Sequence, residues 1–571
     1  MNNDTIERPA YLAGLNEQQQ AAVLCRENIV YVNAGAGSGK TLLLVAKMID
    51  YIVASNSPQK IVALSYTNTA ARQIGERFIR QAVQSGITTG YDFFNGTIHS
   101  FCFRMMKAFE ESRGRQFEFT ILDEEELHEL REELRNELQD AVPLELYKER
   151  LKVISVEDIL TLYLKKLDED PFFRAWVAGQ VTVMAIDEAQ DLSAANYEIL
   201  DKLLDVIPSL RLFLVGDPRQ NIFEFNGGSY KHLDTFLSNH PHQTLNLTIT
   251  YRFGQEIADY VNTFRFNDCV NHPMQSYAKA PSTVSVHRSP AELEEARFVI
   301  SSVKEHGGLS SNAVLCNNLR YLETLIRELK QERIPYRVFG GRKLVKRHIR
   351  FLNHILRILD TENPYSIRKI ARYAGIDIVE EGRKRKSKFF ASELGQLILS
   401  IREDCASADF QTLVACVIER IMRDPQDDEA IEKDYDNLLL VSRQYQSIAD
   451  YLMAFASDKE TFAAFYRKDY EDCDEAPADG DFLTVSTIHS AKGLEWDTVH
   501  VMGLCEGNFP NPYFCKDKTE DEQQVFFNNE WKKMYVAATR AKRSLVLTYA
   551  SSIRRKGFAF VKSPSRFIAN R

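Results

Sequence analysis

Short apolar runs that end in polar or turn residues recur along the chain in two groups. The first comprises IVYV, KIVALSY, VTVMAID and LRLFLVGD, and the second STVSVHR, NAVLCNN, PYRVFGG, FLTVSTIH, TVHVMGL and SLVLTYA. Runs of this length, rich in β-branched residues and without strict alternation, predict strands buried on both faces, as in a parallel α/β layer. Each group is interrupted. Roughly residues 104–178, with ILDEEELHELREELRNEL, and 346–479, with FLNHILRILD and ADYLMAFA, show helical spacing and no strand signal. Two parallel sheets, each carrying a helical insertion, are therefore expected. No solenoid repeat or low-complexity linker breaks the pattern.

The stretch VYVNAGAGSGKTLLLVAK at 30–47 places a glycine loop between a short strand and a leucine-rich helix. Gly35, Gly37 and Gly39 permit turns that a Cβ would block, so successive N–H groups, from Ala36, Gly37, Ser38 and Gly39 onward, can face phosphate oxygens at a helix N-terminus. Lys40 would reach the β- and γ-phosphates, and the Thr41 hydroxyl would ligate Mg²⁺. The first position of the usual pattern is Ala34 instead of glycine. Nucleoside triphosphate binding follows, but not the reaction.

Composition narrows the setting. At 571 residues, with 44% hydrophobic and 26% charged residues, the chain reads as a globular protein of three to four units. No run approaches the roughly 20 apolar residues of a membrane span, and MNNDTIERP lacks a signal pattern, so a cytoplasmic protein without membrane contact is expected. Nine scattered cysteines, without C-x-x-C, argue against zinc or disulfide frameworks and predict buried thiols. A net charge of −9 fits poorly with coating nucleic acid, so any such track must be local. Residues 532–571 hold eleven Lys/Arg and no Asp or Glu. The run EGRKRKSK at 381–388 reads as a solvated loop rather than a DNA contact, and DEEE at 123–126 as the first turn of a helix.

After VTVMAI comes Asp187-Glu188-Ala189-Gln190-Asp191. A carboxylate at a strand end beside a glycine loop can hold Mg²⁺, and an adjacent Glu can polarise the attacking water. With these in place, LNEQQQAAV, AGAGSGKT, GTIHSFC, DEAQD, VGDPRQNIFEFNGG, TYRFGQEI, STIHSAKGLEWDTV and MYVAATRAKRSLVLTYA resemble, in order, the motif series of the UvrD/Rep/PcrA superfamily 1 helicases. The resemblance runs from residue 15 to about 549. It implies two RecA-like motor domains: 1A at 1–103 plus 179–262 with insertion 1B at 104–178, and 2A at 263–345 plus 480–571 with insertion 2B at 346–479. It also implies an ATP hydrolase moving 3′→5′ on single-stranded DNA or a 3′ overhang.

By that resemblance Gln19 reads the adenine edge, Tyr251 stacks on the base and Arg252 contacts the γ-phosphate. Gln220 senses the γ-phosphate, Arg540 is an arginine finger from the second motor domain, and Glu495 lies near the ribose. On the strand side, Phe223 and Phe225 resemble base-stacking rings. Tyr66, Thr67, Asn68, Thr97 and His99 resemble contacts of the first motor domain, and Thr487, His489 and Lys492 those of the second. Two departures stand out: Asn226 replaces the arginine of W-R-G, and Leu42 replaces an arginine after the loop threonine. Asn226 keeps open an ATP-gated, DNA-end-sensing subunit with little unwinding, and an RNA helicase is a third reading. Residues 541–571 leave no room for a nuclease domain, so cutting would need a partner. Short UvrD-like helicases also act with nucleases in antiphage systems such as Gabija.

Overall fold

A computed structural model describes residues 10–55, 57–138, 142–222, 228–270, 272–277, 281–339, 343–376, 383–423, 429–458, 461–468, 480–555 and 558–568. Phe223, Phe225, Asn226 and Cys473 lie outside these residues. The first apolar group forms a six-stranded parallel sheet. Its strands are β1 (Ile29–Ala34), β2 (Gln59–Leu64), β3 (Tyr91–Gly96), β4 (Val183–Ile186), β5 (Arg211–Gly216) and β6 (Gln243–Leu247), in the order β3-β2-β4-β5-β1-β6. The second group forms another, from β7 (Thr283–Ser289), β8 (Asn312–Cys316), β9 (Tyr336–Phe339), β10 (Leu483–Thr487), β11 (Trp496–Val501) and β12 (Ala541–Ala550), in the order β7-β12-β11-β8-β10-β9. Both are mixed-order parallel sheets, as the runs predict.

Registration explains why chemistry gathers at one edge. Neighbouring strands β4, β5 and β1 end together, with Ile186 beside Leu214 and Asn33 beside Gly216. Their C-terminal edge therefore presents Asp187, Asp217 and the glycine loop side by side, at the crevice where parallel sheets place ligands. In the second sheet β11 and β12 start together, Trp496 beside Ala541. Their N-terminal edge presents Glu495 and Arg540.

The lobe border departs from the expected division at residue 262. Phe253, Ile257, Ala258, Tyr260, Val261, Phe264 and Phe266 are buried in the second lobe's core, and the Tyr260 hydroxyl donates to the Phe567 carbonyl at 3.1 Å. The helix Gln255–Asn262 thus belongs by packing to the second lobe, because its apolar face has its partners there. The first insertion is not separate either. Ile159, Leu160, Tyr163 and Phe173 share one core with Tyr31, Val62 and Leu64 of the first sheet. The second insertion has its own core, around Ile349, Leu352, Ile355 and Tyr451, closed by an antiparallel ribbon pairing Lys343–Val345 with Tyr466–Lys468.

The acidic run at 123–126 starts the helix Glu124–Leu138, as expected, with Glu124 exposed but Asp123 and Glu126 buried. Asp123 and Glu126 cap each other's backbone N–H groups at 2.9 and 3.1 Å. Glu126 then pairs with Arg357, Arg350 pairs with Asp123 at 2.8 Å, and Lys369 bonds Glu129 and Glu133 at 2.9 and 2.8 Å. All three cations come from the second insertion, on the helices Arg347–Thr361 and Pro364–Tyr373. The basic run at 381–388 is not a loop over its described part, since Arg383–Phe390 is helical. Its lack of apolar spacing at the start had hidden the helix. Among the described cysteines Cys102, Cys316, Cys405, Cys505 and Cys515 are buried, and no described helix is long and apolar enough to cross a membrane.

Two predictions follow from burial. Burial raises the Glu126 carboxyl, yet Arg357 and Arg350 overcome this and hold it below the usual range. Removing one member of a buried pair strands the other charge, so Arg357→Ala should cost about 3–5 kcal/mol in urea unfolding. His354 and His500 are fully enclosed, and burial pushes both down to about 3. Unfolded histidine takes a proton near pH 6.5. Below that pH the unfolded state binds more protons than the folded one, so stability should fall steadily from about pH 6.5 toward 3. Urea midpoints at stepped pH values test this, and a flat profile over that window contradicts it.

Candidate nucleotide site and strand interface

The glycine loop follows β1 and enters the helix Lys40–Val53. Gly37 and Gly39 sit at φ +73° and +82°, where side chains are disfavoured. A Cβ on Gly37 would come within 2.5 Å of Arg252 Cβ and 2.6 Å of Thr250 Oγ1. The loop is therefore pressed against the segment that carries Tyr251 and Arg252, and Tyr251 N–H donates to the Gly37 carbonyl at 2.8 Å. Ser38 is buried and its hydroxyl has no partner among the described residues, as suits a cradle built for a polar ligand.

Lys40 Nζ lies 3.2 Å from Glu188. Glu188 adopts φ +53°, a left-handed conformation rare for a side-chain-bearing residue, and so turns its carboxylate back toward the loop. Asp187 accepts the Glu188 N–H at 2.9 Å. Burial, then the Glu188 charge, raises Asp187 to about 7. Burial also works against Glu188, but Lys40 and then Lys492 hold it down to about 2. The pair is thus short of positive charge, and with the Thr41 hydroxyl nearby in sequence its donor set is one that suits Mg²⁺.

From the opposite lobe come Arg540, Glu495 and Lys492. Arg252 bridges to them, donating to Glu495 at 2.7 Å and to the Thr539 carbonyl at 3.0 Å. Arg540 is 2% exposed. It donates to the Val536 carbonyl (3.0 Å), the Leu494 carbonyl (3.3 Å), the Thr539 hydroxyl (3.1 Å) and, across the cleft, Gln220 Oε1 (3.1 Å). All four acceptors are neutral. Burial, then the neighbouring Arg252, lowers its pKa to about 9 against the pull of the Glu188 and Glu495 charges, and among the described residues no carboxylate bonds it directly. The Gln220 amide is fixed at its other end, donating to Asp217 at 2.9 Å.

Gln19 is buried with both amide ends engaged: it donates to the Ser38 carbonyl at 2.9 Å and accepts Asn16 N–H at 2.9 Å. Tyr251 is 41% exposed, and its hydroxyl accepts from Asn16 at 2.8 Å. An open ring therefore stands beside the loop. Ala36, by contrast, is packed into the second lobe's core.

On the strand side the structure separates the expected contacts. Thr67 and Thr97 cap helices, accepting Ala70 and Ser100 N–H at 3.2 Å each. Asn68 donates to Ser457 of the second insertion at 3.1 Å. Thr487 donates to Ser490 at 3.0 Å, and Tyr66 is half-buried at the end of the first-lobe strand β2. Burial lowers His99 and His489 to about 4 each, so both are neutral near pH 7. The Lys492 side chain, 9% exposed, pairs with Asp191 and donates to the Gln220 carbonyl at 2.7 Å. It thereby joins the lobes. Asp191, Asp217 and Tyr535 were missed by sequence reasoning. Asp191 stood in the quoted DEAQD run, whose last carboxylate was available to pair with the lysine.

Two parallel-sheet lobes that share one glycine-loop site, with an arginine brought from the far lobe, define a two-domain P-loop NTPase of the RecA-like type. The chain belongs to the UvrD/Rep helicase family: the UvrD/REP helicase N-terminal domain matches residues 15–155 and 141–241, and the UvrD-like helicase C-terminal domain matches 418–552. It is similar to an ATP-dependent DNA helicase PcrA of Staphylococcus aureus, 24% identical over 98% of this chain and 86% of that one. It is similar also to DNA helicase II of Salmonella typhimurium, 25% identical over 98% and 87% respectively.

Because Lys492 neutralises the buried Asp191, Lys492→Met should lower stability by about 3 kcal/mol or more in urea unfolding while leaving single-strand affinity intact. Lost affinity in a protein of unchanged stability, read by fluorescence anisotropy, would restore the strand-contact assignment.

Proposed function

We propose that the chain is an ATP-dependent DNA helicase that translocates 3′→5′ on single-stranded DNA and hydrolyses ATP to ADP and phosphate. The observation that carries this reading is the buried Arg540, whose acceptors among the described residues are all neutral, at the edge of a split glycine-loop site. An anionic γ-phosphate supplies a direct counter-charge. Arg540 and Arg252 would stabilise charge on the transferring phosphoryl group, Glu188 would orient the attacking water, and Gln220 would sense the bond order at phosphorus. Thr41 and Asp187 would hold Mg²⁺, which supplies charge neutralisation at the phosphates when bound. Tyr251 offers its open ring to the base. For Gln19 to read that base, its amide must exchange its bond to Ser38.

Arg540 belongs to the second lobe and Gln220 to the first, so hydrolysis depends on lobe closure, and closure can be converted into steps along a strand. Strand contacts are assigned to Tyr66, Thr67, Asn68, Thr97, His99, Phe223, Phe225, Thr487 and His489. The 3′→5′ direction rests on family resemblance. Asn226 favours a second reading, an ATP-gated subunit that senses DNA ends for a partner nuclease. Strong strand displacement by the isolated chain dismisses it.

Single-stranded DNA should stimulate ATP hydrolysis, and Lys40→Ala should lower kcat by at least about a hundredfold with an unchanged melting temperature. Undiminished turnover by a folded Lys40→Ala protein ends the reading.

A further inference from the structure

The helix Glu520–Ala538 leads directly to Arg540, and its last turn carries Tyr535. Tyr535 is fully buried, and its position is defined by three groups of the first lobe. Its hydroxyl donates to Asp217 Oδ2 at 3.1 Å, and its ring shares a buried core with Ala36 of the glycine loop. The Arg219 guanidinium lies 4.8 Å from its ring centroid. Arg219 is itself pinned, by Asp217 at 2.9 Å and by the His272 carbonyl at 3.1 Å.

Asp217 is the common member. The same Oδ2 that accepts from Tyr535 accepts from Gln220 Nε2, and Gln220 Oε1 in turn accepts from Arg540. The circuit therefore closes on itself across the cleft: Tyr535 to Asp217, Asp217 to Gln220, Gln220 to Arg540, and back along five residues of chain to Tyr535. Two of its members belong to each lobe. It meets the phosphate cradle where Ala36 and Tyr535 are buried in one core.

We propose that Tyr535 and Asp217 form a positioning pair that aligns Arg540 and Gln220 with the glycine loop. When a γ-phosphate takes Arg540 from Gln220, the Gln220 carbonyl is freed to accept from the attacking water. The Tyr535–Asp217 bond stays in place, so the finger can swing without the helix end leaving the first lobe. Neither residue touches the reacting atoms. A loop rearranged by phosphate shifts Ala36, and that shift reaches the finger helix through the core Ala36 shares with Tyr535.

The inference rests on the proposed ATPase activity, and the test separates the two. Tyr535→Phe keeps the ring over Arg219 and removes only the hydroxyl. Losing a hydrogen bond to a buried carboxylate should lower DNA-stimulated kcat about tenfold or more while KM for ATP stays within about twofold. The double variant Asp217→Asn/Tyr535→Phe should be no slower than the slower single variant, since both remove one interaction. An unchanged kcat in Tyr535→Phe, a loss confined to KM, a loss explained by a lower melting temperature, or additive losses in the double variant overturns the pair and leaves the helicase reading standing. Absence of DNA-stimulated hydrolysis in the unmodified protein removes that reading and the pair together.

Discussion

A buried arginine that bonds no carboxylate among the described residues governs the arrangement of the two lobes. Arg540 costs desolvation energy that four neutral acceptors repay only in part, and the cost is visible in its lowered pKa. The neighbouring cations are settled differently: Lys40 has Glu188, Arg252 has Glu495, and Lys492 has Asp191. Three cations bonded to carboxylates around one bonded only to neutral groups among the described residues leave room for an anion where the far lobe meets the glycine loop. Sheet registration sets this up, because strands of the first lobe end and strands of the second begin on facing edges.

The same cleft holds a second link between the lobes. Thr487 ends β10, His489 follows it, and Lys492, a few residues on, grips Asp191 and the Gln220 carbonyl. Displacing that loop therefore displaces the backbone of Gln220, the residue facing Arg540. The link requires no long pathway. One short loop spans the cleft, with a salt bridge at its buried end that low dielectric makes stiff.

Sequence reasoning reached the strands, the glycine loop, the acidic pair and the far-lobe arginine, because each is local: a run, a spacing, or a motif that carries its own chemistry. It failed where the deciding partner is distant in the chain. Nothing around Lys492 signals that Asp191, 301 residues away, would claim it. The helix Gln255–Asn262 looks like a continuation of the first lobe until its apolar face meets the second lobe's core. Asp217 and Tyr535 are unremarkable as residues, and only the fold places them 3.1 Å apart. The acidic run at 123–126 was read correctly as a helix start. Its second use, as a socket for Arg350 and Arg357, depends on a segment more than 220 residues later.

That socket bears on how the lobes can move. The second insertion interrupts the second lobe in sequence, yet its buried cations are held by the first insertion. Ala449, Met453 and Ala456 of its helix Ile448–Ser457 enter the core shared with the first sheet. Breaking such pairs costs several kcal/mol each. The ribbon Lys343–Val345 with Tyr466–Lys468 stays with the socket, since Val345 N–H donates to Glu125 at 3.1 Å. By packing, the insertion keeps its own core and is tied to the first half of the molecule. Chain order places it in the second half, and the energetic argument favours packing.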